Sequence, residues 1–235
     1  MRVCIIIPAL NEAQAITKVV RDIPSFVDRI IVVDNGSTDG TGELANAAGA
    51  DIVRVDPPGY GRACLAGVNA AGDADIFVFM DGDGADHPGD MEKILAPILN
   101  GDADFVLGSR LTGDVQQGAL TLPQRFGNAL ASFLMKLFWG GTFTDLGPFR
   151  AITKTAYQRL NMQAPTYGWT VEMQVRALKS KLRYREIPVR YRRRIGVSKI
   201  SGTVKGVILA GGYILGVIFR ELVVTHKPAI TDEPS

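Results

Sequence analysis

Three carboxylates fall within six residues at Asp81-Gly82-Asp83-Gly84-Ala85-Asp86, directly after the apolar run Ile76-Phe77-Val78-Phe79-Met80. At the tip of a buried strand they repel one another unless a cation sits among them. Hard oxygen ligands, with two glycines to relax the backbone, suit Mg²⁺ or Mn²⁺, whose open positions diphosphate oxygens can fill. A calcium loop is the competing reading, since Asp81, Asp83 and Glu92 fall at its positions 1, 3 and 12. It fails because Asp86 stands where that loop needs glycine, and because a strand precedes it instead of a helix. A purely structural turn is the third reading.

Two more loops follow strand-like runs. Pro8-Ala9-Leu10-Asn11-Glu12 is the first, and Asp34-Asn35-Gly36-Ser37-Thr38-Asp39-Gly40-Thr41 the second. Alone, the second reads equally as turn-and-cap chemistry, with Gly36 and Gly40 for tight turns and Asp39 or Thr41 as helix cap. Gly59-Tyr60-Gly61-Arg62-Ala63-Cys64 lacks the third glycine of a dinucleotide fingerprint, and no P-loop pattern occurs. Its first two glycines could still admit a ligand to the backbone, with Arg62 nearby as an anion partner.

The elements that must position these loops alternate. Residues 2–7, 29–33, 51–55, 76–80 and 105–107 read as strands, and residues 12–23, 41–48, 62–71 and 91–99 as helices. That order predicts βαβ units and a mostly parallel sheet, covered on both faces where the strands are continuously apolar. Beyond a polar stretch at 109–122, helices are expected at 123–139, 154–160 and 170–179, and a last strand at 182–189. In an open α/β sheet, ligands bind beyond the carboxyl ends of the strands, where all three loops lie.

The chain has 235 residues, 46% hydrophobic and 21% charged, which excludes a disordered or disulfide-stapled protein. Cys4 and Cys64 match no metal or disulfide spacing and read as buried packing residues in a reducing compartment. Met1-Arg2 runs straight into the first strand without a signal-peptide plan, so secretion is not expected. Charge is polarised: residues 1–104 carry 17 acidic and 7 basic side chains, residues 176–205 carry 11 basic and one acidic. An acidic half that holds a cation and a basic stretch that meets an anion fit that split. Tyr184 and Tyr191 interleave with the basic residues, but the stretch matches no nucleic-acid module and the acidic half argues against that partner.

Taken in order, Pro8-Ala9-Leu10-Asn11-Glu12, Val32-Val33-Asp34-Asn35-Gly36-Ser37-Thr38-Asp39-Gly40-Thr41 and Asp81-Gly82-Asp83 resemble family 2 glycosyltransferases of the GT-A fold. Gly108-Ser109-Arg110, Asp145-Leu146-Gly147-Pro148-Phe149-Arg150-Ala151 and Arg193-Arg194-Ile195-Gly196-Val197-Ser198-Lys199 resemble its dolichol-phosphate mannose synthase and polyprenyl-phosphate branch. The resemblance covers about residues 3–200. It implies a nucleoside pocket of Pro8, Leu10, Glu12 and Asp34, with Asn11, Gly36, Gly61, Arg62, Asp81 and Gly82 completing the donor site. Asp81 and Asp83 would serve Mg²⁺ or Mn²⁺ and the donor diphosphate. Arg110, Arg125, Arg193, Ser198 and Lys199 would gather donor and acceptor phosphates, with Asp83, Arg110, Arg193 and Lys199 closest to the chemistry. The family often has Gln and His where Ala85 and Asp86 stand here. Ala85 cannot coordinate, which leaves Asp86 or water as the substitute.

The expected activity is inverting transfer of a hexose from a GDP-mannose- or UDP-glucose-type donor to polyprenyl phosphate, at the cytoplasmic face of the membrane. A lipid phosphate is already ionised and needs no general base, whereas an alcohol acceptor would need one, with Asp86 or Glu172 as candidates. An accessory protein that binds nucleotide-sugar without turnover is the rival from another class. Residues 1–200 are expected to form the catalytic domain, 201–224 an apolar helix, and 225–235 a disordered tail. The 14 uncharged residues 206–219 would extend ~21 Å as a helix, short of a ~30 Å bilayer core. A helix on a membrane surface, or one packed on the protein's own core or in a homodimer, fits better than a span.

Overall fold

The computed structural model describes residues 1–196 and 204–224. The elements run β1 (Val3–Ala9), α1 (Ile16–Arg21), β2 (Arg29–Asp34), α2 (Thr41–Ala47), β3 (Asp51–Arg54), α3 (Tyr60–Ala70), β4 (Ile76–Phe79), α4 (Met91–Leu99), β5 (Phe105–Ser109), α5 (Leu122–Trp139), β6 (Arg150–Thr153), α6 (Lys154–Leu160), α7 (Trp169–Lys179), β7 (Tyr184–Pro188) and α8 (Val204–Val223). The seven strands form one sheet in the order β3-β2-β1-β4-β6-β5-β7. All run the same way except β6, which pairs antiparallel with β4 and β5.

Side chains of β1 divide by the two-residue strand period. Cys4 and Ile6 enter one core with residues of α3, α5, α6 and α7. Val3, Ile5, Ile7 and Ala9 enter the other with residues of α1, α2 and α4. Both faces are covered, so the strand sequence shows no polar alternation. Helix α3 sits so close to the sheet that a Cβ on Gly67 would overlap Ile6 Cγ2. Cys4 and Cys64 are free and buried, as expected.

Two expectations change. Strand β6 was not among the expected strands, because its first residue is a buried arginine. Arg150 pairs across to Phe79 and Leu107, and its guanidinium donates to the carbonyls of Gly147 and Thr170. Burial lowers its proton affinity, to a pKa of about 10. Helix α1 begins at Ile16 instead of residue 12, because residues 11–13 are stitched to the loop after β2. The backbone N–H of Asn11 donates to Ser37 Oγ (3.0 Å), that of Glu12 to Thr41 Oγ1 (2.8 Å), and that of Ala13 to Asp39 Oδ2 (3.1 Å).

The sheet order reverses between β1 and β4, which opens a crevice at their carboxyl ends. Because β6 is antiparallel, its entry loop, residues 144–149, arrives at the same end of the sheet as the exits of β4 and β5.

Helix α8 packs on α5 and α7. Val217 and Ile218 enter the core, and buried Glu221 meets Arg176 (3.0 Å) and Lys179 (3.0 Å). Of the alternatives for this segment, packing on the protein's own core describes its buried face. Among the described residues no helix is long and apolar enough to cross a membrane.

Candidate active site

The exits of β1 and β4 meet in a cleft of about 110 Å³ lined by Pro8, Leu10 and Glu12, by Asp81, Gly82 and Asp83, and by Tyr60, Tyr167 and Arg194. Tyr60, at the start of α3, donates its hydroxyl to Asp81 Oδ1 (3.1 Å). Asp83 is buried; its Oδ1 accepts the Ala85 N–H (2.8 Å) and its Oδ2 faces Arg194 Nη1 (3.1 Å). Arg194 is held there because the chain after β7 crosses the acidic loop: Arg192 N–H donates to the Ala85 carbonyl and Ile195 N–H to that of Asp83, both at 2.9 Å.

Negative charge exceeds its compensation at this point. Burial, and then the charge of Asp83, push the Asp81 carboxyl up to about 7. Asp86 is buried, and neither of its carboxylate oxygens has a hydrogen-bond partner among the described residues. Burial, with the charges of Asp81 and Asp83 adding, raises its pKa well above the ordinary value. A buried, orphaned carboxylate beside two others fits a hard divalent cation. No three acidic, His or Cys side chains among the described residues converge as a finished ligand shell. A cation here would therefore rest on Asp81 and Asp83 and take further ligands from the diphosphate.

The sequence of residues 4–160 matches the family described as Glycosyl transferase family 2. The chain belongs to this family. This glycosyltransferase is 34% identical over 192 residues to glycosyltransferase AglJ of Haloferax volcanii, an alignment spanning 80% of this chain and 62% of AglJ. It is 31% identical over 210 residues to the UDP-N-acetylglucosamine–dolichyl-phosphate N-acetylglucosaminyltransferase of Methanococcus voltae, covering 79% of this chain and 84% of that one. Its fold is that of glucosyl-3-phosphoglycerate synthase from Mycobacterium tuberculosis, crystallised with Mn²⁺ and UDP-glucose. The TM-score is 0.77 at 21% identity, over 96% of this chain and 80% of that one. The expected GT-A architecture is thereby shown.

The glycosyltransferase brings together only part of the expected donor set. Pro8, Leu10, Glu12, Asp81, Gly82 and Asp83 share the cleft. Asn11 instead clamps the neighbouring loop, its Oδ1 accepting the Thr38 N–H (2.8 Å). Asp34 and Gly36 line a second hollow, and Asp34 Oδ1 accepts the Ser37 N–H (2.8 Å) within its own turn. Gly61 admits the chain itself and not a ligand, since a Cβ there would strike the Ala164 carbonyl. Arg62 donates to the Pro58 carbonyl (3.0 Å).

The expected phosphate ligands divide in the same way. Arg110 is buried and grips Asp145 through Nε (2.8 Å) and Nη2 (2.7 Å), while its guanidinium lies 5.1 Å from the Tyr191 ring centroid. That pairing makes it a structural support outside the cleft lining. Arg125 is exposed on α5. Arg193 is exposed, its Nε donating to the Gln117 carbonyl (3.0 Å). Ser198 and Lys199 lie outside the described residues. Glu172 is no base: it is fully buried and paired with Arg176 (2.8 Å) and Arg220 (2.5 Å). Sequence reasoning missed Tyr60, Tyr167 and Arg194. Arg194 was visible as the neighbour of Arg193, but which of two adjacent arginines turns inward depends on how the chain crosses the acidic loop.

Proposed function

We propose that this glycosyltransferase moves a hexose from a nucleotide-diphospho-sugar of the GDP-mannose or UDP-glucose type to a polyprenyl or dolichyl phosphate at the cytoplasmic face of a membrane, with inversion at the anomeric carbon. The observation that carries the reading is the opposition of Asp81 and Asp83 to Arg194 across the crevice between β1 and β4. The Methanococcus voltae relative, named for a dolichyl-phosphate acceptor, supports the acceptor class.

An oxygen of the acceptor phosphate forms the new bond to the anomeric carbon. The bond from that carbon to the donor diphosphate breaks, and the nucleoside diphosphate leaves with the electron pair. The acceptor phosphate is ionised near neutral pH, so no proton has to move. Bound Mg²⁺ or Mn²⁺ would supply charge compensation to the leaving diphosphate. Asp81 and Asp83 would hold that ion, and Gly82 lets the loop between them lie close against Ala9, Ile16 and Ile7. Arg194, which lines the same cleft beside Asp83, screens the charge that develops on the phosphates. Tyr60 fixes the orientation of Asp81. Pro8 and Leu10 give the donor an apolar wall that excludes water.

An alcohol acceptor is the second reading, favoured by one observation. Asp86 is buried without a hydrogen-bond partner next to the acidic loop, and its carboxylate form would be the base that such an acceptor needs. One screen separates the two. Purified chain is offered GDP- and UDP-sugars with a short prenyl phosphate or the matching prenol, and sugar–lipid product is measured. Product from the phosphate alone supports the proposal; product from the prenol alone overturns it.

A further inference from the structure

The helix that leads away from the site carries apolar residues on the wrong side. Helix α5 buries Asn128, Ala131 and Met135. On the opposite face, Leu122, Phe126, Phe133 and Leu137 are 81%, 71%, 61% and 62% exposed. Their spacing of four, seven and four residues places them in one stripe along a helix of 18 residues, ~27 Å long. Scattered exposed hydrophobics need no explanation, but a stripe of four large ones on one face does.

Charge decides what covers it. Helix α5 contains no acidic residue; its charges are Arg125 and Lys136, both exposed. Helix α8, packed beside α5, adds exposed Phe219 and Val223, and its single acid among the described side chains, Glu221, is buried in ion pairs. An apolar strip whose own helix carries only cations fits an anionic lipid surface, where the rings enter the acyl boundary and the cations meet headgroup phosphates.

The stripe is also continuous with the site. Asn128, from the buried side of α5, donates to Asp145 Oδ1 (2.7 Å), the carboxylate that holds Arg110. The loop before α5 meets the segment that delivers Arg194, with Gln116 N–H donating to the Tyr191 carbonyl and Arg193 N–H to Gln116 Oε1.

We infer that the outer face of α5 is a membrane-docking surface that lays the glycosyltransferase on an anionic bilayer. The inference deepens the proposed function by naming the surface that would meet a lipid-borne acceptor. It fails separately, because flotation needs no turnover and a water-soluble prenyl phosphate needs no bilayer.

The full chain is mixed with vesicles of phosphatidylcholine, or of equal parts phosphatidylcholine and phosphatidylglycerol, and floated at low and high salt. Binding to the mixed vesicles, reduced by salt and weakened roughly tenfold or more in the double variant Phe126→Glu, Phe133→Glu, is expected. A second measurement reads the position of the stripe. Trp139 packs on the core, so a reporter is placed at position 133: in the variant Phe133→Trp, Trp139→Phe, whose other tryptophan is buried Trp169, emission should be quenched by brominated lipid. No flotation of the wild-type chain overturns the inference, as does the absence of quenching in that variant. Flotation undiminished in a folded double variant overturns it too. So does a sedimentation result in which the unmutated chain is a dimer that ignores vesicles and the double variant is a monomer, since a second copy then covers the stripe.

Discussion

Arg194 and Arg193 are adjacent in sequence and opposite in circumstance. One guanidinium reaches the Asp83 carboxylate inside the crevice, and the other lies exposed over the loop before α5. Replacing Arg194 with alanine should lower kcat by roughly a hundredfold, the usual scale for removing one donor aimed at developing charge, whereas Arg193→Ala should change it only a few-fold. Steady-state kinetics on both variants checks the assignment, and equal losses would contradict it. Asp83→Ala should abolish most turnover while the thermal unfolding midpoint falls only modestly, because the change removes one loop hydrogen bond and the pairing with part-exposed Arg194 but no core contact. The carboxylates themselves were legible in the sequence, since three in six residues after an apolar run have few structural uses. Which cation would face them was not legible, because that depends on a crossing between segments some 110 residues apart. Residues such as Gly61 and Arg62 looked like ligand contacts for a related reason: close backbone approach has the same sequence signal whether the visitor is a ligand or the chain's own carbonyl.

Elements are held at the site by ion pairs that sequence pattern does not display. Asp90, in the turn before α4, accepts from the Arg190 backbone (2.8 Å) and from its guanidinium (3.0 Å), fastening the exit of β7 beside the acidic loop. Burial would raise the Asp90 pKa, but the hydrogen bonds from Arg190 outweigh it and hold the carboxyl at about 2, below its ordinary 3.8. Its contribution to stability is therefore complete above pH 3.8 and is lost as pH falls toward 2. Denaturant unfolding across that window should show Asp90→Asn less sensitive to acid than wild type; parallel profiles would contradict the pairing. At the far side of the molecule, Glu221 ties α8 to α7 from a buried position, and Arg176 keeps Glu172 when Glu221 is removed, so Glu221→Ala should cost about 1.5–3 kcal/mol, the scale of a lost charged hydrogen bond. A loss below 1 kcal/mol would mean that α8 is an appendage and not part of the fold. The strands of continuous apolar residues and the capped helices were readable from period and turn signals. Strand β6 was not, because a buried arginine paired to carbonyls interrupts the apolar run that announces a strand.

At the scale of the whole molecule, the polarised charge of the chain resolves into one assembly. The acidic first half supplies the exits of β1, β2 and β4, and the basic stretch after α7 folds back across them through β7. The sheet reversal between β1 and β4 leaves the crevice proposed for the donor, and α5 runs from the Asp145–Arg110 pair to an exposed apolar face. Cation-dependent transfer of sugar to a lipid phosphate is the activity proposed for this assembly. It is tested most directly by incubating the purified chain with radiolabelled GDP- and UDP-sugars and a polyprenyl phosphate, with Mg²⁺, with Mn²⁺ or with excess chelator, and counting label in the organic phase. Organic-phase product from one nucleotide-sugar, present with metal and abolished by chelator and by Asp83→Ala, is the expected result. Equal product in chelator, or no lipid-linked sugar from any donor while the same donors are consumed on a soluble acceptor, would contradict it.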